Sequence, residues 1–369
     1  MAIPDTNEMR SVAARAADLL LPHPWKLWFW GDSIGLEGIQ EAGNLNNDAS
    51  YQTYVYGLMK GWIAKIDRRN KFDYCFAGVA LLNSYLHFKD PALLEAAVIQ
   101  AEHLASFRRT YKGAFMRYED AEIELPPELP PDHPDYHLTD DKMKTVKSGG
   151  PCLFVDTIHF DGPFYSKLYS VTGEDRWRDL ALQNILPSVE LLFDEEKSLF
   201  HHFWIERQGK PNGVLWGRGN GWAMLGMLHT MKYLPENDPG FIRLLEVFVR
   251  QAAALSSLQD TSGDWRTVLD DPEAYLETSI AAFVVDGFSY AIERGWLPAS
   301  YKDVVHNAAN AMFGHVLENG KLAGVSYETF PSTRAQHYRT MPRDAVVPWG
   351  QGPLIMAISS YISLLEGNN

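Results

Sequence analysis

The chain has 369 residues, 46% of them hydrophobic, with 47 acidic against 33 basic side chains and a net charge of −14. That charge argues against nucleic acid as a partner, because phosphate binding needs clustered Lys and Arg, and it requires a local cation wherever an acidic ligand is held. Two cysteines, Cys75 and Cys152, leave no disulfide framework and no thiolate metal site. No apolar run reaches membrane-spanning length, and no basic start followed by an apolar run opens the chain, so the expected compartment is the cytoplasm.

Helical periodicity dominates and β-type alternation is scarce. Helices are predicted, in chain order, over 8–20, 33–43, 50–64, 73–88, 91–107, 157–172, 174–192, 219–233, 239–257, 277–293, 299–315 and 352–366. Those at 91–107, 174–192, 239–257 and 299–315 carry charge along one face. Those at 73–88, 219–233, 277–293 and 352–366 are apolar or small nearly all round, and such a helix must be buried on all sides. Short turn-rich joints such as HFKDPALLEAA and LPENDPGFIRLL recur between the two kinds. The pattern reads as one helical hairpin repeated six times. An open stack of hairpins would end in polar capping faces, whereas buried-type helices here run to the last residues. The expected fold is therefore all-α, an (α/α)6 barrel in one domain over 1–369, with an open helical scaffold as the rival. One segment breaks the rhythm: 118–150 is rich in Pro and acid and is read as a long loop insertion. A loop of that length is expected to be a cover or a contact arm of a homo-oligomer, with disorder as the alternative.

In a closed ring of hairpins the inner helices all start on one rim. The residues before them are WFWGD (28–32), NKFD (70–73), CLFVD (152–156), WGRGN (216–220), DPEAYLE (271–277) and VPWGQG (347–352). Aromatics, carboxylates, amides and one arginine converge there. Asp32, Asp73 and Asp156 each also fit an ordinary N-cap, so the weight rests on the set. In LWGRGNGWAMLGM, the glycines at 217, 219 and 221 are expected to let the backbone turn tightly and approach a ligand. Arg218 can offer a planar fork to a carboxylate, with structural pairing to a core Asp as its alternative. Trp216 and Trp222 offer stacking faces. A nucleotide loop is excluded by the missing G-x-G-x-x-G and Walker lysine. Asp156 is the candidate general acid and Asp73 the second carboxylate, the usual equipment for glycoside cleavage. Asp161 is a weaker candidate. His202, in LFHHFW, is a candidate ligand contact, with an exposed strand or loop histidine as its alternative. His159 is expected to pack. No histidine spacing fits a metal, no nucleophile elbow is present, and neither metal nor organic cofactor is expected.

These stretches resemble the unsaturated rhamnogalacturonyl hydrolases of glycoside hydrolase family 105, with a more distant likeness to the unsaturated glucuronyl hydrolases of family 88. The resemblance runs over nearly the whole length, through FDYCFAGVALLNSY, FVDTIHFDGPFYSKLYSVTGEDRW, LFHHFW, LWGRGNGWAML, LQDTSGDWRTVLDDPEAYLETSIAAF and WGQGP. It implies an (α/α)6 barrel that acts on a small acidic oligosaccharide bearing a terminal 4,5-unsaturated uronic acid. An Asp protonates the C4=C5 bond, water adds at C5, and the hemiketal opens to release the sugar. By motif position Asp156 is implied as proton donor and water activator, and Asp73 as the assisting carboxylate. Arg218 is implied to hold the uronate, with Trp222, Trp216, Trp30, His202 and Asn220 lining the site. Phe154 stands where the family usually has Trp. The readings kept beside this one are another (α/α)6 sugar enzyme, either a conventional exo-glycosidase or an epimerase, and a non-catalytic carbohydrate-binding protein.

Overall fold

A computed structural model of the chain describes residues 3–26, 30–66, 76–115, 152–329 and 331–367. Helices α1 (Thr6–Asp18), α3 (Ala49–Ile63), α5 (Pro91–Ala105), α7 (Asp175–Leu192), α9 (Pro239–Ser257) and α11 (Lys302–Gly314) form an outer layer. Helices α2 (Asp32–Asn46), α4 (Gly78–Phe88), α6 (Thr157–Thr172), α8 (Gly217–Met231), α10 (Ser279–Glu293) and α13 (Pro348–Glu366) form an inner ring. A short α12 (Ala335–Arg339) lies in the connection before α13. Each inner helix packs on the next, and α13 packs back on α2, so the ring is closed. The fold is the expected (α/α)6 barrel, and the open scaffold is ruled out by that last contact. No helix among the described residues is long and apolar enough to cross a membrane.

The two layers follow from their sequences. Nearly every residue from Gly217 to Leu228 of α8, and every one from Ser279 to Ser289 of α10, is buried, which only an inner position allows. Outer helices α1, α3, α5 and α9 start at Asp5, Asp48, Asp90 and Asp238, whose carboxylates accept from first-turn amides. None of the six inner helices has a side-chain N-cap bond. Their positive dipole ends therefore gather on one rim of an acidic protein.

Three details differ from expectation. The helix anticipated from 73 begins at Gly78, after non-helical Phe76 and Ala77. Short antiparallel strands appear where alternation was faint: β1 (Cys152–Phe154), β2 (Phe193–Asp194), β3 (Leu199–Phe200), β4 (Phe203–Ile205), β5 (Lys210–Pro211), β6 (Trp265–Arg266) and β7 (Leu276–Glu277). Of these, β1, β4 and β5 form one sheet with Phe154 opposite Phe203. Finally, Gly217, Gly219 and Gly221 lie within α8 and none has positive φ. A Cβ at Gly217 would lie 2.3 Å from Ile280 Cδ1, and one at Gly219 would lie 2.9 Å from Val155 Cγ1. These glycines admit neighbouring protein, not a tight turn. The 118–150 insertion lies outside the described residues.

Candidate active site

Asp156 sits at the mouth of α6. Its approach is set by β1 and by the Val155 N–H, which donates to the His202 carbonyl at 2.9 Å. Phe154 stacks on Phe203 with centroids 5.3 Å apart, and meets the edge of His202 at 5.6 Å. Asp156 then takes the N-cap position with αR backbone and makes no capping bond to the helix. It is 5% exposed. Five apolar neighbours of this strand–helix corner, Cys152 to Val155 and Ile158, are buried with it.

His202 reaches the same point from the other side. It is buried, 3% exposed, which overturns the exposed alternative. Its Nε2 lies 4.0 Å from Asp156 Oδ2, and its ring centroid is 4.4 Å from that of Trp216. Its Nδ1 is 2.7 Å from the Tyr338 hydroxyl. That hydroxyl also meets the Ser332 carbonyl at 3.2 Å and receives Asn212 Nδ2 at 3.3 Å. When Tyr338 donates to Ser332, its oxygen takes the His202 Nδ1–H, and the Nε2 lone pair faces Asp156. Burial pushes the Tyr338 phenol well above its ordinary range, so it stays a neutral hydroxyl.

Arg218, in the first turn of α8, is fully buried. Nη1 donates to Glu277 Oε1 at 3.1 Å and to Ser326 Oγ at 2.6 Å, while Nη2 donates to the Tyr327 carbonyl at 2.9 Å and to Thr329 Oγ1 at 3.0 Å. The fork expected to grip a ligand carboxylate is therefore held by Glu277. This is the core pairing that the sequence left as the alternative, with Glu in place of Asp. Glu277 is itself saturated, accepting also from Ser279 and from the Ser326 amide. Burial lowers the Arg218 pKa, and the nearby Glu277 and Asp156 carboxylates oppose that shift. What Arg218 offers the rim is a fixed positive field, stacked 4.8 Å over Trp216 and 6.0 Å over Trp349.

Trp349 continues the wall to Trp30, with centroids 4.6 Å apart. Half-buried Trp30, Trp349, Arg218, Trp216, His202 and Asp156 thus form one continuous lining. Two expected members do not join it. Trp222 points into the barrel against His159 and Phe283, because it lies more than a turn below the rim. Asn220 is spent on the Phe200 backbone and the Trp216 carbonyl, tying α8 to the β3 segment. Asp161 lies within α6 and accepts from Asn184 of the neighbouring α7 at 3.1 Å. Asp32 binds the Lys26 amide and His23, pinning its own loop. Asp73 lies outside the described residues. Tyr338 was missed: it sits in PSTRAQHYRT, a connection with no periodicity to mark it. Among the described residues no group of three His, Cys, Asp or Glu could hold a metal ion.

The sequence model of Glycosyl Hydrolase Family 88 matches residues 7–365. The chain belongs to that family. It is a glycoside hydrolase. The unsaturated rhamnogalacturonyl hydrolase YesR of Bacillus subtilis (strain 168) is 26% identical over 331 residues, 88% of this chain and 87% of the relative. Among solved structures, a family 105 glycoside hydrolase of C. acetobutylicum superposes with a TM-score of 0.76 at 19% identity, covering 95% of this chain and 99% of that one. The unsaturated glucuronyl hydrolase of Bacillus sp. GL1 gives 0.68 at 16% identity, over 95% and 94%. At such identities the two structures bear on the fold alone.

Proposed function

We propose that this hydrolase removes a terminal 4,5-unsaturated uronic acid from lyase-generated oligosaccharides by hydrating the C4=C5 bond. The observation that carries the reading is the meeting of Asp156 with His202 at the aromatic rim, beside the buried Arg218. Protonated Asp156 gives its proton to C4, and the positive charge that develops at C5 is shared with the ring oxygen. The resulting carboxylate takes a proton from water as the water oxygen bonds to C5. The hemiketal so formed opens, and the aglycone leaves with its own oxygen. One water is consumed and Asp156 ends protonated.

The rim suits this substrate. A uronate brings negative charge to six inner-helix N-termini and to the Arg218 field, and half-buried Trp30 at the end of the aromatic wall offers a ring to a flattened unsaturated sugar. In this reading Arg218 attracts the uronate through space, His202 orders the proton on Asp156, and Asp73 assists as the second carboxylate. The full-length similarity to YesR favours a rhamnose-linked aglycone. One unit spans the chain in this reading, since a single core cluster includes residues from Met9 to Leu364.

The test is decay of the ultraviolet absorbance of the conjugated double bond, with unsaturated galacturonyl-rhamnose beside unsaturated glucuronyl disaccharides. Asp156→Asn should lower the rate by about 10²–10⁴-fold, the usual worth of general acid–base catalysis. Full activity in that variant sinks the mechanism. Absence of decay on every substrate with the wild type sinks the reaction class.

A further inference from the structure

The inner helices carry the Asp156 rim at their N-termini, so their C-terminal ends meet at the opposite end of the barrel. There α2, α4, α6 and α8 line a cavity of about 390 Å³, within the range of small-molecule sites. Lys167, on its wall, lies roughly 16 Å along α6 from Asp156 at the helical rise per residue. Between the two levels Trp222, His159, Phe160 and Phe283 pack ring against ring and fill the axis. This aromatic layer stands between the cavity and the Asp156 rim.

The basal chamber brings charges of both signs together without direct ion pairs among the described residues: Lys167 and Lys232 share its wall with Glu37 and Glu41. Lys167 is 6% exposed, and its ammonium donates to Asn83 Oδ1 while forming no ion pair among the described residues. Glu37, equally buried, accepts the Ser33 hydroxyl at 2.8 Å. The two sense each other without touching, and burial governs both: Glu37 is raised to about 7 and Lys167 is lowered to about 8. Lys232, exposed on the open side, adds a second cation beside the Tyr233 and Tyr290 rings, in the field of the Glu37 and Asp286 carboxylates. The wall also carries a second carboxylate, Glu41, the His229 and Tyr233 rings, and the amides of Gln40, Asn44, Gln52 and Asn83. Asn83 donates to Gln40 Oε1 at 2.9 Å, and Gln52 donates to Asn44 Oδ1 at 2.9 Å, so the amides are oriented in advance.

We propose that this basal cavity binds a small polyhydroxylated carboxylate, a sugar acid of monosaccharide size. Its carboxylate lies between Lys167 and Lys232, and its hydroxyls bridge to Glu37 and the amides. Two cations on one side select the carboxylate. Oriented amides and a carboxylate on the other side match hydroxyls, which both donate and accept. A neutral sugar would meet the amides, Glu37 and Glu41 but would bring no charge to Lys167 and Lys232. The site stands apart from the reaction at the other rim.

The experiment is isothermal titration of galacturonate, with galactose as the neutral control, into the wild type, Lys232→Gln and Lys167→Met. Saturable galacturonate binding is expected, weakened at least fivefold in both variants and at least tenfold for galactose, while Lys232→Gln hydrolyses unsaturated substrate at the wild-type rate. Should Lys167→Met fail to fold, Lys232→Gln carries the test, because that side chain is exposed. The proposal is overturned by no saturable binding, by equal affinity in wild type and Lys232→Gln, or by equal affinity for galactose. Hydrolysis is read separately, so its failure in the wild type bears on the rim chemistry and not on this cavity.

Discussion

Tyr338 holds one nitrogen of His202 while the other faces Asp156. Tyr338→Phe leaves a buried imidazole nitrogen without its partner, at about 1–3 kcal/mol. We expect kcat to fall about tenfold with KM little changed, and the acid limb of the pH–rate profile to shift; an unaltered profile would make Tyr338 merely structural. Arg218 and Glu277 form the second residue-scale unit. Glu277→Gln leaves a buried guanidinium with no counter-charge, and breaking such a pair from one side costs about 3–5 kcal/mol. Urea unfolding should show that loss; a change under about 1 kcal/mol would mean that the pair matters less than its burial implies. At this scale the sequence located Asp156, Arg218 and His202 through their motifs. It could not tell that Arg218 faces its own carboxylate, because the two are 59 positions apart.

Among the elements, the seam between α2 and α13 decides whether the ring closes. A Cβ at Gly352 would lie 2.4 Å from the Ile34 carbonyl oxygen, and one at Gly38 would lie 2.8 Å from the Gly352 Cα. Both obstacles are backbone, which cannot swing away. Gly352→Ala should therefore destabilise by about 2–3 kcal/mol, the upper range for overpacking. Thermal or urea melts check this, and a melt unchanged from wild type would show that the seam has slack. The helices themselves were legible because periods of burial are local, and eleven of the twelve predicted segments begin within a few residues of the observed helices. The exception, at 73–88, starts late where the aromatic Phe76 leads into a glycine pressed against Phe164.

For the whole molecule, the axis of the barrel makes stability depend on pH. Burial lowers His159 to about 3, and it lowers His229 as well, against an ordinary value of 6.5. The folded state then binds fewer protons than the unfolded one between those values. The contribution is complete above pH 6.5 and is lost as pH falls toward 3, at about 1.4 kcal/mol per pH unit for one group. Glu37, raised to about 7 from 4.5, acts in the opposite sense over its own window, its contribution present below 4.5 and lost as pH rises through 7. A difference measurement separates them. Relative to His159→Leu, the wild type should lose about 2 kcal/mol between pH 6.5 and pH 5 in urea unfolding. Parallel stability curves for the two proteins would contradict a neutral, buried His159.

Local periodicity and composition by themselves determined the all-α class, the helical hairpins and the alternation of charged and buried helices, and left the ring open or closed. Each of those follows from residues near one another in the chain, where helical spacing and turn chemistry are written directly. Tertiary structure decided the rest. It chose Glu277 as the partner of Arg218, brought Tyr338 to His202 across 136 positions, turned Trp222 and Asn220 into packing, and opened a cavity at the far end. These depend on how deep along its helix each side chain falls and on what the opposite helix presents there. That depth is set only when the ring closes.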